Sequence, residues 1–137
     1  MVSEAVYESV RTITAEALEY AVTNGIDIGV EGIDALMKLL RAGIPDTQGI
    51  TVRALGYAWA NGGKMGKRVL GDLVKTLGDQ ELLWRARIYA AKALGYGLDQ
   101  GGDIGEEEGT IRIDHGLVSA YFIVEICRPG KAPLNGP

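Results

Sequence analysis

Only one cysteine and one histidine occur in the 137 residues. A lone Cys127 cannot close an intrachain disulfide or build a thiolate zinc cluster, so nothing points to a disulfide-stapled secreted scaffold. A lone His115 leaves no Ser-His-Asp, Cys-His or two-histidine metal site within one chain. In Asp114-His115-Gly116 it reads as ordinary turn chemistry. Long apolar runs are missing too. The uncharged stretch His115 to Val124 is about ten residues, roughly half of what a membrane-spanning helix needs. The first twenty residues carry Glu4, Glu8, Arg11, Glu16 and Glu19, which interrupt the uncharged core a secretory leader requires. These absences lead us to expect a cytoplasmic protein with no membrane partner, no metal and no cofactor.

What is present is apolar enough to fold. Apolar residues make up 47% of the chain, and its length fits one domain. We place that domain at residues 1–127, followed by an irregular tail over 128–137 that holds three prolines and two glycines. The net charge of −4 argues against a generic polyanion binder, but the charge is unevenly spread. Residues 1–52 carry a net −5, residues 53–92 a net +5 and residues 93–137 a net −4. A basic middle between acidic ends suits either a polyanion or the acidic ends of another copy of the chain.

An internal repeat is the strongest signal. Residues 16–25 read EALEYAVTNG, 53–62 read RALGYAWANG and 92–101 read KALGYGLDQG, at spacings of 37 and 39. The shared pattern is Ala-Leu-x-Tyr-small-x-x-amide-Gly. A companion stretch precedes the last two copies: Leu36-Met37-Lys38-Leu39-Leu40 matches Leu73-Val74-Lys75-Thr76-Leu77, also 37 apart. Each full unit is then a helix, a short turn and a second helix ending in an amide and a glycine.

Helical periodicity agrees. A first helix over residues 3–23 aligns Val6, Val10, Ile13, Ala17 and Tyr20 on one stripe, and Asn24-Gly25 stops it. A second over 30–42 turns Ile33, Leu36, Met37 and Leu40 inward, with acids near its start and bases near its end. A third, over 47–61, buries Val52, Leu55 and Trp59; a fourth, over 64–77, buries Val69, Leu70, Leu73 and Leu77. Asp79 is positioned to cap a fifth helix reaching Leu98, whose alanines suit close packing. From Thr110 the pattern changes. Residues 110–127 are rich in β-branched and aromatic types and read either as a β-hairpin or as a final buried helix. The fold class is mainly α, a stack of helical hairpins. One hairpin cannot bury its stripe alone; neighbouring pairs bury a continuous core together, and the two ends need covering.

Leu73, Leu77, Gly78-Asp79, Arg85, Ala90-Ala91 and Ala93-Leu94-Gly95 resemble a HEAT-type repeat. The resemblance extends over residues 16–102. It departs from the family pattern at Ile44-Pro45-Asp46-Thr47, where the turn is irregular, and in the first copy, which has no leading helix. It implies a binding scaffold, of a kind that in some members grips nucleic-acid backbones along a basic face.

Other motifs carry less. Gly62-Gly63-Lys64-Met65-Gly66-Lys67-Arg68 misses the phosphate-loop pattern at both ends, with Asn61 in place of Gly and Arg68 in place of Ser or Thr. Asp99, Asp103, Glu106, Glu107 and Glu108 do not fit a calcium loop, since Ile104 and Thr110 stand where Gly and Glu are needed. No residue is assigned a catalytic role, and the chain is not expected to be an enzyme. The expected function is an interaction scaffold that self-assembles or binds a protein partner, with Tyr57, Trp59 and Tyr96 as interface candidates beside their plain role in core packing. The alternative is a nucleic-acid backbone binder or packaging subunit of filament or coat type, which would place it in a virion. Its phosphate contacts would be Arg53, Lys64, Lys67, Arg68, Arg85 and Lys92.

Overall fold

The computed structural model describes residues 4–79, 81–102, 110–113 and 116–119. Five helices account for most of them: α1 (Glu4–Thr23), α2 (Gly29–Arg41), α3 (Gln48–Ala60), α4 (Gly63–Gly78) and α5 (Trp84–Asp99). One turn of 3-10 helix, Pro45–Thr47, leads into α3, and strands β1 (Thr110–Ile113) and β2 (Gly116–Ser119) follow α5. The strands pair antiparallel, Thr110 opposite Ser119 and Ile113 opposite Gly116, and β1 lies beside α4. Of the two readings of the C-terminal segment, the strands are therefore the one found, for residues 110–113 and 116–119. Residues 120–127, the 128–137 tail, Cys127, His115 and most of the acidic loop lie outside the described residues.

The helices stack as hairpins in two rows. α1, α3 and α5 form one row, with α3 in the middle; α2 and α4 form the other and pack on it. This puts the three copies of the repeat on successive neighbours in one row. They end alike. Gly25, Gly62 and Gly101 have φ of 74°, 80° and 97°, the left-handed region where a side chain would clash. The N–H of each donates three residues back, to the carbonyls of Val22, Trp59 and Leu98 at 3.1, 2.9 and 3.1 Å. The amide residue before each donates its backbone N–H to the repeat tyrosine's carbonyl: Asn24 to Tyr20, Asn61 to Tyr57 and Gln100 to Tyr96.

The core follows the repeat. Ile33, Leu36, Ala54, Leu55, Val69, Leu73, Ala93 and Leu94 are sealed from solvent, while Leu18, the first copy's leucine, is half-buried against the same cluster. α3 and α5 approach closely because glycines meet there. A Cβ on Gly56 would lie 2.9 Å from the Gly97 nitrogen and 3.1 Å from the Ala93 carbonyl oxygen. A Cβ on Gly97 would run into the Trp59 ring. α4 is tied to α5 by Arg87, whose Nε donates to the Leu77 carbonyl at 3.0 Å, satisfying an acceptor that the end of α4 leaves open.

Two sequence expectations are corrected. The fifth helix starts at Trp84 rather than at a cap on Asp79. The Asp79 carboxylate instead accepts the Glu81 N–H at 3.0 Å, closing a local turn, and the extended backbone of Leu83 opens the helix. The stripe on α1 is real but faces solvent: Val6, Val10, Ile13 and Tyr20 are 49, 55, 64 and 71% exposed. α1 packs on the stack through Ala15, Leu18 and Val22 instead.

Candidate interaction surface

α1 is apolar on two sides. One side, Ala15-Leu18-Val22, meets α3. The other, Val6-Val10-Ile13-Ala17-Tyr20, runs with a 4-3-4-3 spacing, the seam spacing that accepts a second helix. Beside that seam, α1 and α2 leave a groove of about 390 Å³ lined mainly by apolar groups, with Val10, Thr14, Ala35, Leu39 and Ile44 in its walls. Lys38 and Arg11 stand at its polar edges, and the Arg11 Nε is buried without a hydrogen-bond partner.

At the far end of the row a second apolar patch is open. Leu83, Trp84 and Ile88 are 64, 68 and 37% exposed. Trp84 and Ile88 are one helical turn apart on the side of α5 turned away from α3, and Ala91 and Gly95 further along that side are buried. The two ends differ in charge. α1 carries Glu4, Glu8, Glu16 and Glu19 against Arg11, a net −3; α5 carries Arg85, Arg87 and Lys92 against Asp99, a net +2.

The interface candidates read from sequence sit between the layers. Trp59 is 3% exposed and wedged against Gly97 and Gly102, so it is a core residue and no part of a free surface. Its indole needed a large hollow, and those two glycines supply it. Tyr57 and Tyr96 are half-buried and touch edge-to-face, ring centroids 5.5 Å apart. Burial, together with a hydrogen bond between the Tyr96 and Tyr57 hydroxyls that favours the neutral phenol, pushes Tyr96 above its ordinary value of 10.0, and Arg53 opposes this. Tyr20, at the same repeat position, is the exposed one.

The six cationic candidates lie on three helices and are partly occupied. Arg53 Nε bonds Glu19 at 2.8 Å, joining α3 to α1. Arg68 bonds Asp34 at 2.6 Å, joining α4 to α2, and approaches Asp72 at 3.7 Å. Lys64 and Lys67 are exposed on the first turns of α4; Lys64 borders a hollow of about 390 Å³ with Val22, Asn61 and Gly62. Arg85 is exposed beside Gly43, and Lys92 is half-buried on α5. Exposed ion pairs such as these contribute about 0–1 kcal/mol, so their weight lies in registering one layer on the next.

The residues that sequence reasoning missed are the α1 stripe as an open surface and Leu83, Trp84 and Ile88. A signal for the first was present: Ala15, Leu18 and Val22 make a second apolar line on a helix that already had one. No helix among the described residues is long and apolar enough to cross a membrane. Comparison with protein-family models, with curated proteins and with solved structures found no match.

Proposed function

We propose that this chain is a non-enzymatic interaction scaffold, a short HEAT-like stack that works by docking protein on its exposed end layer. The observation that carries the reading is the α1 seam, with Val10, Ile13 and Tyr20 more than half exposed in a row beside an apolar groove. Large contiguous apolar surface on a soluble chain marks an interaction site. The setting we propose is the cytoplasm. A photo-cross-linker in place of Ile13, in cells that express the protein, tests this. The expected result is a protein adduct at position 13 and none when the cross-linker replaces exposed Lys75. Absence of any protein adduct at position 13 contradicts the reading.

The nucleic-acid reading, with a virion as its setting, is the weaker one, because Arg53 and Arg68 already serve carboxylates of the chain itself. Its support is the net +5 of residues 53–92. Backbone binding falls steeply with salt. An anisotropy titration with DNA and RNA at low salt that shows no binding removes it.

A further inference from the structure

We infer that the occupant of the α1–α2 face is the α5 end of a second copy of this chain, so that copies join head to tail. This rests on the scaffold reading above and names its partner.

The molecule contains its own template for the missing layer. Residues 11–23 of α1 and all of α2 have counterparts 37 residues later in α3 and α4, and Val10 has its counterpart in the 3-10 turn. Val10, Thr14 and Leu39 line the open groove; their counterparts Thr47, Thr51 and Thr76 are each 1% exposed. The preceding layer packs on the elements that hold them: α1 meets the 3-10 turn that contains Thr47 and the helix α3 that contains Thr51, and Arg41 of α2 donates to the Thr76 hydroxyl at 3.3 Å. The same holds along the row. On α5, Ala93, Tyr96 and Gly97 receive α3 through Gly56, Tyr57 and Trp59. Their counterparts on α1 are Ala17, Tyr20 and Ala21, and Ala17 and Tyr20 face solvent. The α1–α2 face is thus shaped as a face that receives a preceding layer.

A second copy offers such a layer at its far end. The side of α3 that lies on α5 corresponds on α5 to the side bearing Trp84, Ile88, Ala91 and Gly95, of which the Trp84–Ile88 half is open. In the template the row helices run parallel, which brings this half against Val10 and Ile13 rather than against Tyr20. Charge agrees, with a net −3 on α1 meeting a net +2 on α5, whereas two α1 helices facing each other would set like charge on like. The contact is heterologous, so it carries assembly past the dimer, into a ring where the rotation closes and an open filament where it does not.

Sedimentation velocity on the full chain tests this. The parent should grow with concentration through dimer and beyond. Ile13→Asp spoils the receiving face and Trp84→Glu the offering face; both side chains are exposed, and circular dichroism should report folded helices in each. Ile88→Glu replaces the second variant if Trp84→Glu does not fold. Each variant alone should be a monomer, and an equal mixture should give a heterodimer and nothing larger. A parent that stays monomeric at every concentration overturns the inference. So does a Trp84→Glu protein that still dimerises, which would mean α1 pairs with α1. So does a mixture that stays monomeric. The cross-link at position 13 separates the two readings: an adduct with a different protein overturns head-to-tail joining alone, while a bond only within the same chain, or no adduct, overturns the scaffold reading as well.

Discussion

α1 and α5 carry the same ten-residue pattern on either side of α3, yet their surroundings are opposite. Ala93 is sealed and Tyr96 is half-buried against Tyr57; their counterparts Ala17 and Tyr20 are open to water. The difference lies in neighbours rather than in residues. α5 has α3 on its receiving side, and α1 has no described helix there. A repeat pattern therefore encodes a face that must be covered, and position in the stack decides whether the chain covers it itself.

The largest expected effects break the comparison at its leucines. Leu55→Ala and Leu94→Ala remove fully buried side chains and should each cost about 2–5 kcal/mol in urea unfolding. Leu18→Ala, at the half-buried first copy, should cost clearly less. Equal losses at all three would mean that α1 is packed as tightly as the others. Next comes the crossing of α3 and α5. Gly56→Ala forces a methyl against the Gly97 nitrogen and should cost about 1–3 kcal/mol. Gly71→Ala, on α4 with nothing near its Cβ, serves as the unstrained control and should be stabilising by up to about 1 kcal/mol through helix propensity.

Smaller effects sharpen the account. The Thr51 hydroxyl is buried without a partner, so Thr51→Val should raise stability, by about 1 kcal/mol from removal of an unsatisfied polar group. Thr14→Val at the open counterpart should change stability by less than about 0.5 kcal/mol. The smallest effect is alkaline. Because the Tyr96 phenol holds its proton to higher pH in the folded chain than its ordinary value of 10.0, its contribution is complete below that value. It declines as the pH rises from there through the folded value. Melting temperature followed above pH 10 should fall more steeply for the parent than for Tyr96→Phe.

Much of the fold was legible in the sequence, because the features that set it are local. Asn24-Gly25, Asn61-Gly62 and Gln100-Gly101 announce helix ends by the one residue tolerant of the backbone needed, and the structure has all three there. The inward face of α2, Ile33-Leu36-Met37-Leu40, was equally plain, since that helix has a single apolar side. What failed was what depends on neighbours. An apolar stripe shows that a side of α1 resists water without showing which of its two apolar sides finds company. The sequence puts Trp59 on the buried side of α3 and also offers it as an interface candidate; the hollow made by Gly97 and Gly102 is what rules the second out. The ion pairs Arg53–Glu19 and Arg68–Asp34 each span 34 residues, so the basic middle looked freer for an outside anion than it is. The start of α5 was misread because an Asp before a helical pattern serves a turn as readily as a cap.

The most direct measurement is methyl and indole NMR of the full chain over a dilution series. The account predicts that the Val10 and Ile13 methyls and the Trp84 indole move together with concentration, while the buried Ile33, Leu55 and Leu94 methyls stay fixed. Invariance of all these signals, or movement of Val10 and Ile13 with Trp84 unmoved, would contradict it.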